Sequence, residues 1–524
     1  MHVVLRAEIS PHVACGDKWM NLLHFAPRTS HADSPHVACG EKWAALPLGT
    51  RSGVKATMLA ILLGLGLAGQ IEAQLASPPL RGAIAGVCVR GLTDPTPVDA
   101  SRDGAGAVTY LHNADVRLMP ASNEKLFTIA YAIKRLGLSY CSKTRIWKRS
   151  YGAYVDAPGN PTTTADELRK ASLDLGLRPG AQVHVREAYA PQVPDGWESD
   201  DMPNRYAAQP CSFSVDKGGF ELWGERGRAF LLPYNYGVRV HVGAGSRGVR
   251  YDIGDRQVTY RGRPPRDRTR LDTLAVPVPD EAAATVLGGR LVRVHDEPPT
   301  EPPTTEIISA PLSVVARDCL QNSDNYLAEN LLLIAAASEG PLGDDPYKTA
   351  SQRIRTFLES EVGVEAGDVR PVDGSGLSRH NFATPRSLAK VLVYAYQQWG
   401  TQWTDLLATS GKGTLEKRLA GSSFIGKTGT LDGVVALSGY VFDKSKIPHV
   451  ISLVFNHTIA PSAEIRPIQD SIVRMIESID DGTDFESYDY RERSNPHPSN
   501  PPLRWNWLCG PGDDGGFAFT RQDR

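Results

Sequence analysis

Two apolar runs late in the chain, VVALSGYVF (434–442) and HVISLVFN (449–456), read as neighbouring strands. Behind them Ile465, Ile468, Ile472, Met475, Ile476 and Ile479 recur at helical spacing over 463–479. A sheet with apolar faces and a helix with one apolar stripe must bury each other, so this end predicts a helix laid over a sheet. A third run, IAGVCVR (84–90), stands near the opposite end and is expected in the same antiparallel sheet. The fold class is therefore α/β (α+β), with a sheet that both ends of the chain help to build.

At 524 residues, the length alone suggests roughly three to four domains. Lys and Arg number 57 against 59 Asp and Glu, a balance that argues against a dedicated nucleic-acid binder. Residues 58–69 (MLAILLGLGLAG) form a 12-residue apolar run, short of the ~20 residues a membrane span needs, so no transmembrane anchor is expected. Arg51 and Lys55 precede the run and small residues follow, which describes an export signal over 58–76, cut near Ala73 or Ala76. The protein is then expected in the periplasm or cell envelope.

Upstream, SPHVACGDKW (10–19) is repeated as SPHVACGEKW (34–43). His12, Cys15, His36 and Cys39 form a possible zinc set. The alternative is a start codon placed too far upstream, with translation beginning near Val54 or Met58. The second reading is preferred, because a knuckle ahead of an export signal would block it; residues 1–57 are thus a spurious or disordered extension. Residues 481–524, with NPHPSNPP and GPGDDGG, read as a disordered tail. Beyond the signal region five cysteines remain (88, 141, 211, 319 and 509), enough for at most two disulfides, and no C-x-x-C occurs.

The search for a nucleophile starts from Ser-x-x-Lys, which puts an amine one helical turn beyond a hydroxyl. A desolvated lysine there can take the serine proton. The pattern occurs at Ser52/Lys55, Ser122/Lys125, Ser214/Lys217 and Ser387/Lys390. Ser52 lies upstream of the expected cleavage, Ser214 sits in strand-like SFSVD, and Thr384 or Ser387 reads as a helix cap. Ser122 opens an amphipathic helix with Leu126, Ile129, Ala130, Ile133 and Leu136 on one face. Alone it is as readily a cap as a nucleophile. Two further motifs decide the matter: Ser323-Asp324-Asn325, the one S-x-N, and Lys427-Thr428-Gly429-Thr430, the one K-T-G. The order S-x-x-K, S-x-N, K-T-G is the signature of penicillin-binding proteins and β-lactamases.

The chain resembles the D-alanyl-D-alanine carboxypeptidase/endopeptidase family S13 of penicillin-binding proteins. PASNEKLFT (120–128), SDNYLAENLL (323–332, with Glu329) and VDGSGLSRHN (372–381) carry the likeness, which covers roughly 80–480. The spacing of 201 residues from Ser122 to Ser323 fits that family, which carries inserted material there. One departure is DAPGNPTTTADEL (156–168), where the family has a Gly-Asp-Pro-Thr-like segment; WESDDMPNRYAAQPCSFSVDKGG (197–219) resembles the family's return segment more closely.

The resemblance implies a serine acyl-enzyme. Ser122 would attack the carbonyl between two D-alanines and Lys125 would take its proton. The N–H groups of Ser122 and Thr430 would form the oxyanion hole, such donors being worth about 3 kcal/mol each. Ser323 would pass a proton to the leaving amine, and Asn325 would hold the substrate amide and restrain Lys125. Lys427, Thr428 and Thr430 would bind the terminal carboxylate, and Gly429 would let the strand approach without a Cβ. Asp373, Ser375 and Arg379 are expected to shape the loop beside the site. No metal or cofactor is called for. The expected partners are peptidoglycan peptides ending in D-Ala-D-Ala and, as covalent inhibitors, β-lactams.

The implied fold is a β-lactamase/transpeptidase-like antiparallel sheet with helices and an all-helical lobe. It is assembled from 77–145 and 305–480 around a β-rich insert at 146–304, with the site in the cleft between halves. The insert's RGRPPRDRTR (261–270) is read as a solvated loop, or as a contact for anionic wall polymer. Competing readings are a serine β-lactamase, for which the E-x-x-L-N of class A is missing, and an inactive penicillin-binding-like protein, against which the intact motifs stand. His380 and His457 come without a G-x-S-x-G elbow, and no H-E-x-x-H is present.

Overall fold

The computed structural model describes residues 66–92, 109–178, 180–480 and 488–489. A seven-stranded sheet runs in the order Ala408–Thr409, Ile425–Leu431, Val434–Phe442, Pro448–Asn456, Ile84–Gly91, Thr109–His112, Tyr488–Asp489. All neighbours are antiparallel except the last pair. The strand Ile84–Gly91 pairs with Pro448–Asn456, from Ile84 opposite Asn456 to Gly91 opposite His449, so the expected joining of the two ends holds.

The sheet is buried on both faces, which is why its strands are nearly continuous apolar runs. Ile451, Leu453 and Phe455 pack with Val435 and Leu437 under the helix Ser462–Glu477, against Ile465, Ile468, Ile472 and Ile476. The alternate residues Val450, Val454, Ala436 and Tyr440 join the opposite core, with the helices Glu124–Leu136 and Pro385–Trp399. Each fully buried side chain of this size contributes about 1.5–3 kcal/mol.

Two described segments fall within the expected chain-end regions. Leu67–Leu75, inside the expected export signal, is a helix whose Ile71 is fully buried in the core beside the helix Ser462–Glu477. At the other end, the backbone of Tyr488–Asp489 adds a short parallel strand within the expected tail. The expectations for 1–57, for the start of the signal and for the rest of the tail lie outside the described residues.

The insert begins and ends on a pair of strands, Lys143–Arg149 and Thr305–Ile308, with Thr305 opposite Ile146 and Ile308 opposite Lys143. The expected limit at 146 falls inside Lys143–Arg149, and the limit at 304 leaves Thr305–Ile308 outside the insert although it pairs with that strand. These strands edge a five-stranded sheet that also holds Gly152–Ala157, Ala181–Glu187 and Gly289–Arg293. Two three-stranded sheets and the helices Ala165–Leu175 and Pro279–Leu287 complete it around a separate core. The divergent Gly159-Asn160-Pro161-Thr162 is well built: Asn160 Oδ1 accepts from the Thr162 N–H at 3.1 Å and hydroxyl at 2.9 Å, an Asx turn.

The helical lobe comprises Leu312–Asn322, Asn325–Ala337, Pro346–Phe357 and Pro385–Trp399 around Glu124–Leu136. Every residue from Glu124 to Ile133 is buried, so this helix is the lobe's axis rather than a surface element.

Candidate active site

Ser122 lies in a 3-10 turn, Ala121–Asn123, that leads into the helix Glu124–Leu136. Ala121 is held at φ +48°, a left-handed conformation that costs a residue with a Cβ roughly 1–2 kcal/mol. Its surroundings enforce it. Gly376, itself at φ +82°, lies so close that a Cβ there would fall 1.8 Å from the Ala121 carbonyl oxygen. On the other side a Cβ at Gly429 would stand 3.0 Å from Pro120 O and 3.1 Å from the Ala121 Cβ. The K-T-G glycine thus lets its strand close on the nucleophile turn. Asn123 Nδ2 ties the turn to the sheet by donating to Ser438 Oγ at 2.8 Å.

Lys125 Nζ sits 3.0 Å from Ser122 Oγ, 2.7 Å from Asn325 Oδ1 and 2.7 Å from the Ser375 carbonyl oxygen. The side chain is fully buried, and desolvation holds the amine below its ordinary range, against the opposing fields of Cys319, Asp373, Glu329 and Asp324. A neutral amine has two N–H donors and one lone pair. Two of its three neighbours are carbonyl oxygens, which only accept. The lone pair is then left for the third, the Ser122 hydroxyl, and this is the geometry of a base poised on its nucleophile.

Ser323 caps the end of Leu312–Asn322 in the left-handed region at φ +59°, and Asp324 caps the start of Asn325–Ala337, accepting from Leu327 N–H at 3.0 Å. The motif is a tight corner between two helices, and both of its outer side chains face the site. Lys427 Nζ donates to Ser323 Oγ at 2.8 Å and to Thr428 O at 2.7 Å. It too is fully buried, and desolvation, with the nearby Lys125, pushes it well down. The strand Ile425–Leu431 pairs along its length with Val434–Phe442 but on its other edge only through Ile425 and Gly426. Among the described residues that edge has no strand partner from Lys427 onward, which leaves it open to an extended peptide. Thr428 is half-buried and Thr430 exposed, with Arg466 Nη2 3.5 Å from the Thr430 hydroxyl.

The three motifs therefore meet as expected: Ser122, Lys125 and Asn325 through one amine, Ser323 and Lys427 through another. Of the other Ser-x-x-Lys pairs, Ser214/Lys217 and Ser387/Lys390 stand elsewhere, and Ser52/Lys55 lies outside the described residues. Ser214 accepts from Tyr326 OH and Lys217 pairs with Asp318, in an irregular stretch that runs into the 3-10 turn Asp216–Gly218 rather than the expected strand. Ser387 and Thr384 form a reciprocal helix cap. The 372–381 loop is a scaffold: Asp373 accepts from Gly376 N–H, Ser378 N–H, Asn381 Nδ2 and Trp197 Nε1 at 2.6–2.9 Å. Arg379 pairs with Glu198 and donates to Asp432 O. Cys88, Cys141, Cys211 and Cys319 are free thiols.

Sequence reasoning missed how far the insert reaches into this site. Asn325 Nδ2 donates to Tyr206 O at 2.8 Å, and Arg205 pairs with Asp324 at 3.1 Å. The signal was the likeness of 197–219 to a return segment, which carried no residue-level role.

Glu124 is the second finding. It is completely buried, neither carboxyl oxygen has a hydrogen-bond partner, and desolvation with the fields of Asp373 and Glu329 raises it well above the usual carboxylate range. Glu329 accepts from Gly374 N–H, Ser375 N–H and Tyr347 OH, yet burial and Asp373 still push it up to about 8. A native acid with a raised value costs nothing below its unfolded value near 4.3 and destabilises progressively as pH rises above it. Glu124→Gln is expected to leave the thermal midpoint near that of the parent at pH ~4 and to raise it at pH ~8. Parallel pH profiles for the two proteins would refute the assignment of Glu124 as a neutral acid.

Residues 67–229 and 250–478 match the family described as D-Ala-D-Ala carboxypeptidase 3 (S13). The D-alanyl-D-alanine carboxypeptidase of Actinomadura sp. (strain R39) is 27% identical over 438 residues, covering 71% of this chain and 77% of that protein. The D-alanyl-D-alanine carboxypeptidase DacB of Haemophilus influenzae is 28% identical over 146 residues, 26% of this chain and 29% of the relative. Among solved structures, penicillin binding protein 4 (dacB) of Haemophilus influenzae superposes with TM-score 0.65 at 18% identity, over 79% of this chain and 100% of that one, a likeness of fold.

Proposed function

Because the chain belongs to the D-Ala-D-Ala carboxypeptidase 3 (S13) family of peptidases, we propose that it removes the terminal D-alanine of peptidoglycan stem peptides through an acyl-enzyme on Ser122. The single observation that carries this reading is the Lys125 amine, buried, 3.0 Å from Ser122 Oγ, with carbonyl oxygens of Asn325 and Ser375 as its two other partners. In acylation Ser122 Oγ bonds to the scissile carbonyl carbon while its proton passes to Lys125. Collapse of the tetrahedral adduct breaks the C–N bond, and the proton taken up by Lys125 reaches the departing D-alanine amine through the Ser323 hydroxyl, which is hydrogen-bonded to Lys427, so that both side chains end as they began. Water then cleaves the ester and restores Ser122.

The backbone N–H groups of Ser122 and Thr430 are the proposed oxyanion hole. Lys427, Thr428 and Thr430 are proposed to bind the substrate carboxylate at the unpaired strand edge, and Asn325 to hold the amide. The same groups serve a D,D-endopeptidase, where the leaving amine belongs to a cross-linked chain instead. β-Lactams acylate the same serine in this reading. Such a substrate places the enzyme in the cell envelope after export; among the described residues no helix is long and apolar enough to cross a membrane.

The test is turnover. The protein is expected to release D-alanine from a soluble diacyl-D-Ala-D-Ala peptide, to be labelled by a fluorescent penicillin, and to turn over nitrocefin far more slowly than the peptide. Rapid nitrocefin hydrolysis without peptide cleavage would replace the peptidase reading with a β-lactamase.

A further inference from the structure

The insert carries a charge pattern that the reaction does not use. From Arg226 to Arg270 there are eleven arginines, no lysine and three aspartates, in a chain of net charge −2. All of these arginines are exposed except Arg256, which pairs with Glu281 at 3.0 Å; Arg270 reaches Glu221 at 3.0 Å. Arg226, Arg228, Arg247, Arg261, Arg263 and Arg266 have no carboxylate within ion-pairing distance among the described residues.

Backbone contacts join them into one ridge. Arg226 N–H donates to Arg266 O at 2.9 Å, Gly227 N–H to Pro265 O at 3.0 Å and Gly262 N–H to Gly243 O at 3.0 Å. The Gly262 backbone lies against that of Arg247. The ridge continues onto the three-stranded sheet of Arg239–Gly243, Gln257–Arg261 and Gly248–Asp252. There Val240, Val258, Tyr251 and Tyr260 turn to the core, so the alternate residues Arg239, Arg250, Thr259 and Arg261 share the outer face. A shallow cavity of about 230 Å³ opens on it, lined by Arg250, Gln257, Thr259 and Arg261 with Asp252 and Asp255.

Unpaired like charges repel and weaken the compact state unless an anion meets them. Guanidinium forks, unlike ammonium groups, engage carboxylates at two points. The family match breaks at 230–249, so part of this ridge lies outside the matched residues. We propose that the ridge is a docking surface for the carboxylate-bearing peptidoglycan polymer that presents the substrate peptide. This rests on the reading of the substrate given above, in which each uncleaved peptide ends in a carboxylate and the polymer is a polyanion.

The test is co-sedimentation of the full chain with insoluble peptidoglycan stripped of attached phosphate polymers. Binding is expected at ~50 mM salt and to weaken at least about tenfold by ~500 mM, as the screening length contracts. The triple variant Arg247→Ser, Arg261→Ser, Arg263→Ser is expected to bind about tenfold more weakly while cleaving the soluble peptide at the parental rate. Arg226→Gln with Arg266→Gln, at the loop end of the ridge, gives the same comparison should the triple variant not fold. Parental retention of the folded variants overturns the proposal, as does wild-type binding that disappears on stripping, which would assign the ridge to a phosphate polymer. Loss of soluble-peptide cleavage by the wild type would instead overturn the substrate reading, since sedimentation reports docking without turnover.

Discussion

Ser122→Ala is expected to abolish covalent labelling by a fluorescent penicillin and to lower kcat/KM for the soluble peptide by on the order of 10⁴ to 10⁶. The loss is that large because alanine has no hydroxyl to form the ester beside the Lys125 amine, while the Ser323 hydroxyl is tied to Lys427. The decisive controls are the other serines of the repeated pattern. Ser387→Ala removes half of a reciprocal cap and costs about 1 kcal/mol of stability. Ser214→Ala deprives Tyr326 of its hydroxyl partner in the core. Both are expected to label in full at temperatures where they remain folded. Stoichiometric labelling of Ser122→Ala, or its loss in Ser214→Ala, would move the nucleophile elsewhere.

Much of this site could be read from spacing, because the chemistry itself demands local order. A base one turn from its nucleophile is a short-range feature, and Ser122 with Lys125 displays it in four letters. The strands 84–91, 434–442 and 448–456 were equally legible, since burial on both faces leaves unbroken apolar runs. What could not be read was tertiary in origin. That Leu67–Leu75, which begins inside an apolar run, packs as a helix in one core with Ser462–Glu477 follows from tertiary contact and not from its spacing. The limits of the insert depended on Lys143–Arg149 and Thr305–Ile308 pairing across more than 150 intervening residues. The Arg205–Asp324 pair and the Tyr206 carbonyl under Asn325 join distant segments without any motif. Glu124 was passed over because an acidic residue in a first helical turn is ordinarily a solvated complement to the helix dipole, whereas here it is buried without a partner.

Lys125→Met is expected to cut the acylation rate by about 10³- to 10⁴-fold, the contribution of a well-placed general base. The informative readout is the pH dependence. Burial lowers the Lys125 value in the folded protein, so the wild type should lose acylation as pH falls through that lowered value and the amine becomes an ammonium with no lone pair. The residual activity of Lys125→Met should lack that limb. Stability runs the opposite way from activity. A lysine whose folded value lies below its unfolded value near 10.4 imposes its full cost at low pH, and that cost is relieved as pH rises through the window between the two. The wild type should therefore gain more stability across that window than Lys125→Met, in which only the lowered Lys427 still contributes such a gain. The methionine also leaves Asn325 Oδ1 and Ser375 O without their donor, which subtracts a constant, pH-independent amount. It is the slope rather than the offset that identifies the buried amine: wild-type and Lys125→Met unfolding curves that keep a fixed separation from neutral to alkaline pH would show that Lys125 is charged in the native site, and the base would have to be sought elsewhere.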